Sequence, residues 1–220
     1  MEYQLSKRLL FIASFVTNDM RIGDIGSDHG YLPYYLLSNN KVSYAYACDN
    51  KKGPFENLSL TFKDGFEGKI HLALKDGLND LPEEVNTLIL SGMGGDLIQT
   101  ILKNGINHLD HVDKMILSPQ QNVEGLRRYL NSINYKIKDE HMVFDDKYYF
   151  VLIIEKGEQS LTDFEYKYGP HLIRHKDDTF ISYIKETREY YKSILAKKNL
   201  NKEKIDFLNK EIDELNTLLG

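Results

Sequence analysis

Apolar residues recur at two different periods along this chain, and the change from one to the other marks out its parts. Leu5, Leu9, Ile12, Ala13 and Val16 fall at helical spacing, which predicts an amphipathic helix ahead of the first strand. Short apolar runs follow at residues 21–26, 42–48, 69–74, 87–91 and 112–117, separated by helical stretches. That alternation predicts a parallel sheet covered by helices on both faces. The rhythm then changes: strand-like runs at 135–144 and 148–155 flank Asp145-Asp146-Lys147, which predicts an antiparallel β-hairpin. Beyond Asp177 only helix formers remain. Ile181, Ile184, Arg188, Tyr191, Ile194 and Leu195 share one face, and Ile205, Leu208, Ile212, Leu215 and Leu219 share another. Two helices of about 20 residues, about 30 Å each, joined at Asn199-Leu200-Asn201 make an antiparallel helical hairpin, a short coiled coil. Residues 156–175, with Gly157, Gly169 and Pro170, read as the linker, so the division expected is 1–158 and 159–220.

Five parallel strands followed by a hairpin is the element order of the class I methyltransferase fold, a Rossmann-like α/β architecture. A plain Rossmann dehydrogenase continues with strand, helix, strand. With 220 residues there is room for one substantial domain and a small appendage. No apolar run approaches the about 18 residues of a membrane span, and the N-terminus lacks a cleavable apolar signal, so no membrane contact is expected. The single cysteine, Cys48, excludes an internal disulfide and fits a reducing cytoplasm. No Cys/His set has zinc spacing, so no metal is expected. A net charge of −5 requires any nucleic-acid contact to use a local basic patch.

The candidate chemistry centres on residues 20–33, a buried strand ending in a glycine-rich turn that opens a helix. Gly26, Ser27 and Gly30 shape that turn. Asp24 and Asp28 on either side of it repel a phosphate and suit a ligand with a positive or hydroxyl-rich side. S-adenosylmethionine, a sulfonium with an ammonium group and a ribose, matches better than a dinucleotide. Asp49, 25 residues after Asp24, is placed to accept from ribose hydroxyls, with Asn50 beside it; it also reads as a cap of the following helix. Asp76-Gly77 can accept from the adenine amine, or serve as a plain turn. Ser91-Gly92-Met93-Gly94-Gly95 follows the fourth strand, where glycines let the backbone approach a flat ring. It departs from the Asp/Asn-Pro-Pro-Tyr of amino-methylating enzymes, which points to a ring nitrogen as nucleophile. Asp28 is the candidate to stabilise the positive charge left on the ring, with His29 beside it. Pro119 and Gln120 follow the fifth strand and offer base-reading contacts.

Leu5-Ser6-Lys7-Arg8-Leu9, residues 24–33, Gly53-Pro54, Asp76-Gly77-Leu78, residues 91–95 and the two-helix tail together resemble the TrmK family of bacterial tRNA (adenine-N1)-methyltransferases. Two departures stand out: Gly30 occupies a position expected to hold Ala, with only a relaxed turn expected from it, and Ser118-Pro119-Gln120 stands where Gln-Pro-Asn is expected. The resemblance implies methyl transfer from S-adenosylmethionine to N1 of adenine 22 of tRNA; rival readings are another RNA or small-molecule acceptor, or a non-catalytic S-adenosylmethionine- or RNA-binding protein. Tyr31 and Tyr34 then offer a stacking face for the extruded base. Lys7 and Arg8, together with Lys197, Lys198, Lys202 and Lys204 at the hairpin tip, become the expected tRNA contacts, and a monomer is expected.

Overall fold

The computed structural model describes residues 3–197 and 199–220. Five strands run parallel: β1 (Ile22–Ile25), β2 (Ala45–Asp49), β3 (Ile70–Leu74), β4 (Thr87–Ser91) and β5 (Lys114–Ser118). β6 (Tyr135–Asp145) and β7 (Lys147–Lys156) complete a sheet of order β3-β2-β1-β4-β5-β7-β6, with both hairpin strands antiparallel to their neighbours. The hairpin turns at Asp146, in the left-handed region at φ +66°. Strand order reverses between β1 and β4, and open α/β sheets bind ligands at that switch point, beyond the carboxyl ends of the strands.

The period of two sorts the strand residues onto two buried layers. Leu88, Leu90, Met115 and Leu117 face one layer with Ile98 and Leu102 of α4 (Gly95–Asn104) and Leu126 and Leu130 of α5 (Val123–Ser132). Ile22, Ile89 and Ile116 face the other, with Ile12 of α1 (Lys7–Ser14), Leu36 of α2 (Tyr31–Ser38) and Leu58 of α3 (Lys52–Thr61). The expectation of a helix between every pair of parallel strands fails once. The β3–β4 connection stays irregular because Gly77 (φ +62°) and Asp80 (φ +59°) adopt left-handed backbone and Pro82 follows.

The first compact unit ends at Gly169 and the second runs from Pro170 to Gly220, later than the expected division at 158/159. The expected linker is in part helical. Thr162 and Glu165 form a reciprocal capping box that starts α6 (Asp163–Tyr168). Arg127 of α5 then holds α6, donating to the carbonyls of Tyr166 at 2.8 Å and Lys167 at 3.0 Å. The same guanidinium pairs at 2.6 Å with Glu140 of β6, and both side chains are fully buried.

The second unit contains α7 (Pro170–His175), α8 (Asp178–Leu195) and α9 (Lys202–Leu219). Asp177 and Asn201 cap the two long helices, each accepting a backbone N–H at 2.8 Å. Arg188 donates to Asn216 at 3.2 Å across the pair, as the face assigned to Arg188 requires. Leu208, Ile212 and Leu215 are buried as the periodicity predicts, whereas Leu218 rather than Leu219 completes the stripe and Ile205 stays 36% exposed. No helix among the described residues is long and apolar enough to cross a membrane.

Candidate active site

Two adjoining cavities open at the carboxyl ends of β1, β2 and β4. The larger, about 410 Å³, is lined by Asp28, Asp49, Asn50, Asp76, Gly77 and Met93, with Leu97 and Ile101 of α4 supplying an apolar wall. The smaller, about 330 Å³, is lined by Arg8, Asp24, Ser27, His29, Tyr31 and Gln120. Gly26, Asp28, Ser91 and Gly92 border both. The β1 turn and the β4 loop therefore form the wall between two compartments, one of which can hold a donor and the other an acceptor.

The β1–α2 turn winds tightly because Gly26 (φ +75°), Asp28 (φ +49°) and Gly30 (φ +70°) all take left-handed backbone. Four backbone donors of the turn are bonded within the protein. Gly26 and Ser27 both donate to the Cys48 carbonyl at 2.9 Å, Gly30 donates to the Ser27 carbonyl at 2.9 Å, and Asp28 N–H points at Asp49 from 3.4 Å. The side chains that the turn presents are the carboxylate acceptors Asp24 and Asp28. The two carboxylates of the turn suit a cationic, hydroxyl-bearing ligand better than a phosphate.

Asp24 lies at the floor, with only 5% of its surface exposed, and accepts from the Ser27 hydroxyl at 2.5 Å. Burial pushes its carboxyl up to about 6, opposed by the Ser27 hydrogen bond and the nearby Arg8 guanidinium. Burial likewise pushes the Cys48 thiol up to about 11, so this residue is an inert wall. Asp49 is buried at the end of β2, and its other oxygen accepts from Lys51 N–H at 2.9 Å. Asp76 accepts from the Asn50 amide at 3.0 Å, which couples the β2 and β3 ends of the larger cavity. Asp28 is exposed, and its carboxylate stands 3.6 Å from His29 Nε2.

Several expected site residues sit elsewhere. Gly30 lines neither cavity; a Cβ there would come within 2.4 Å of Leu58 and 2.9 Å of Phe62, so glycine is demanded by core packing and does more than relax the turn. Gly94 caps α4 and lies against Gln121. Pro119 is buried and presents no surface to RNA. Gln120 is exposed, but its amide donates to the Gly92 carbonyl at 3.0 Å while its backbone N–H donates to the Met93 carbonyl, so it braces the β4 loop. Tyr31 is stacked on Tyr3 (centroids 4.8 Å apart) and on His29 (5.0 Å, 11° between planes). His29 and Tyr31, stacked face to face, both line the smaller cavity. Lys7 is exposed outside both cavities, whereas Arg8 reaches into the smaller one. Lys197, Lys202 and Lys204 are exposed around the α8–α9 connection; Lys198 lies outside the described residues.

A family model described as TrmK, tRNA (adenine(22)-N(1))-methyltransferase, matches residues 22–217. The chain belongs to the TrmK family. The Bacillus subtilis (strain 168) tRNA (adenine(22)-N(1))-methyltransferase is 31% identical over 236 residues, covering 99% of this chain and 98% of that protein. The crystal structure of the B. subtilis M1A22 tRNA methyltransferase TrmK superposes with a TM-score of 0.86 at 30% identity, covering 99% of each chain. M. capricolum TrmK, solved with the cofactor product S-adenosyl-homocysteine, superposes at 0.85 with 31% identity, covering 98% of this chain and 97% of that one.

Against that family the larger cavity suits an S-adenosyl group in volume and in the acceptors it presents. Its volume lies within the range of small-molecule sites, Asp49 and Asp76 face it as hydroxyl and amine acceptors, and Leu97 and Ile101 give a purine an apolar surface. The TrmK motif residues were legible, but Leu97 and Ile101 were not singled out. Their signal was present in the sequence: Leu97 and Ile101 are four apart on α4, just after the glycine-rich β4 loop.

Proposed function

We propose that the two cavities bind S-adenosylmethionine and an extruded adenine on either side of Asp28 and Gly92, and that the reaction is methyl transfer to N1 of adenine 22 in tRNA. As a member of the TrmK family, the chain is a tRNA methyltransferase. The observation carrying the residue roles is the common wall of the two cavities: a donor in one compartment and a planar acceptor in the other would meet at Asp28, Ser91 and Gly92.

Asp49 would hold the ribose hydroxyls, Asp76 with Asn50 the adenine amine, and Asp28 on the shared wall the cationic end of the cofactor, which would reach past Gly26 toward Asp24 at the floor of the smaller cavity. S-adenosylmethionine supplies an electrophilic methyl group to in-line SN2 attack by the N1 lone pair. Neutral adenine needs no base to free that lone pair, so rate comes chiefly from positioning. His29, backed by the Tyr31 and Tyr3 rings, offers the stacking face for the target base. Gly92, at φ +79° with only Arg8 near its open side, lets the main chain approach the ring. Asp28 faces the place where the ring becomes cationic and stabilises that charge, or accepts the proton later lost from N6. Lys7, Arg8, Lys197, Lys198, Lys202 and Lys204 would meet the RNA backbone. The enzyme would act as a cytoplasmic monomer.

The test is Asp28→Ala under saturating tRNA. The expected result is a fall in kcat of about 100-fold or more with S-adenosylmethionine affinity held within a few fold. Equal losses in both would remove Asp28 from the chemistry and leave it a binding residue.

A further inference from the structure

Leu5-Ser6-Lys7-Arg8-Leu9, which leads into α1, brings a cation to the smaller cavity. Local contacts fix where it stands. Leu5 is buried in the core, Ser6 caps the helix by accepting the Leu9 N–H at 3.3 Å, and the Arg8 N–H donates to the Asp145 carboxylate at 2.9 Å. The Arg8 guanidinium carbon lies 5.1 Å from the centre of the Tyr149 ring. Its Nη2 is 4.0 Å from where a Cβ on Gly92 would stand, and Arg8 is the only lysine or arginine among the described residues that line this cavity.

The guanidinium carries five N–H donors, and none of them has an acceptor among the described residues. Nη1 is also shut off from water, so the charge is poorly solvated on that side. A cation in that state is costly unless a ligand brings it a counter-charge. Anions are close by: Asp24 and Asp28 line the same cavity. Burial raises the Asp24 carboxyl, while the Ser27 hydroxyl and the Arg8 charge draw it down. Arg8 and Asp24 thus border one space with opposite charges and no bond between them. A lone anion entering it meets two carboxylates, and a lone cation meets the guanidinium. A zwitterion finds a partner for each of its charges.

We propose that Arg8 binds the carboxylate of the methionine end of S-adenosylmethionine, across the cavity from an ammonium held by Asp24. The inference rests on the S-adenosylmethionine reading of the two cavities and adds to it the one charge of that ligand which the acidic residues leave unmatched. The cofactor's chain would cross from the larger cavity at Gly26 and Gly92, which border both, and its amino-acid end would meet Asp24 and Nη2 of Arg8. His29, with 45% of its side chain exposed, and Tyr31 then leave the outer side of the cavity to the base. The carboxylate occupies one edge of the guanidinium, and the remaining donors stay available to the RNA backbone.

Calorimetry at pH 8 reads this contact without any turnover. The two ligands are S-adenosylmethionine and its decarboxylated analogue, which keeps the sulfonium and the ammonium and lacks the carboxylate. The wild type is expected to bind S-adenosylmethionine about 10- to 100-fold more tightly than the analogue, the range of one hydrogen bond between charged groups. In Arg8→Met that preference is expected to vanish, because the loss falls on S-adenosylmethionine alone, and Arg8→Lys is expected to keep part of it. Asp24→Asn is expected to weaken both ligands alike, since both carry the ammonium. An Arg8→Met protein that loses affinity for the two ligands equally would make Arg8 a structural residue and overturn the inference. A wild type that binds both ligands equally well would overturn it too, and that result needs no variant to fold. An Arg8→Met protein that keeps the wild-type preference and changes only the salt slope of tRNA binding would give the guanidinium to the RNA alone, again overturning it. A wild type that binds neither ligand would overturn the cofactor reading itself.

Discussion

Replacing Asp24 with asparagine should stabilise the protein without its cofactor while weakening cofactor binding. Asp24 is buried at the floor of the smaller cavity, and its carboxyl is pushed up to about 6 from 3.8 chiefly by that burial. The folded state therefore binds a proton that the unfolded chain has released between pH 4 and 6, so this group subtracts stability as pH rises through that window. The difference corresponds to about 3 kcal/mol once Asp24 is fully ionised. In Asp24→Asn the side-chain amide oxygen still accepts from the Ser27 hydroxyl, but the group never ionises. The variant should match the wild type near pH 4 and exceed its stability by about 2–3 kcal/mol above pH 7. Urea denaturation of both proteins from pH 4 to 8 reads this as a widening gap in unfolding free energy. Calorimetry at pH 8 should show S-adenosylmethionine affinity reduced about tenfold or more, because the ionised carboxylate faces the cationic ligand. A gap that does not depend on pH, or one that narrows as pH rises, refutes the argument.

Gly30→Ala forces a Cβ against Leu58 at 2.4 Å from a left-handed backbone. The cost should be about 2–3 kcal/mol, seen as a melting temperature lower by roughly 4–10 °C. Glu140→Gln leaves the Arg127 guanidinium buried without its counter-charge. Chemical denaturation should register a loss of about 3–5 kcal/mol, and a loss under about 1 kcal/mol would show that the pair is not what holds α5 to β6. Changing Lys197, Lys198, Lys202 and Lys204 together to glutamine should reduce the salt dependence of tRNA binding by about three in log–log slope. An unaltered slope in filter binding would give the helical hairpin another task.

Elements whose signal is local were legible before any coordinates. The strands of period two, the Asp145-Asp146-Lys147 hairpin and the 181–195 and 205–219 faces all form close to where the pattern puts them. Asp49 and Asp76 stand at the ends of the apolar runs that form β2 and β3, and that position alone brings both to the larger cavity. What escaped depends on tertiary geometry. The bonding of the Gly26 and Ser27 N–H groups requires the Cys48 carbonyl, from the neighbouring strand, to stand beneath the turn. Pro119 reads as loop but is buried, and Gln120 reads as base-facing but spends its amide on Gly92. Tyr31 looks like a free stacking ring until Tyr3 and His29 are seen against it. Thr162-Asp163-Phe164-Glu165 is a capping box written in the sequence, and it starts α6 inside the stretch that reads as linker.

The account turns on a methyl donor and an extruded adenine meeting across the wall formed by Asp28 and Gly92. Incubating the enzyme with radiolabelled S-adenosylmethionine and an unmodified tRNA transcript, followed by nucleoside analysis, examines that meeting directly. The label should appear as 1-methyladenosine, and it should vanish when adenine 22 of the transcript is replaced by guanine. Label in any other nucleoside, or undiminished label on the guanine-substituted transcript, would contradict it.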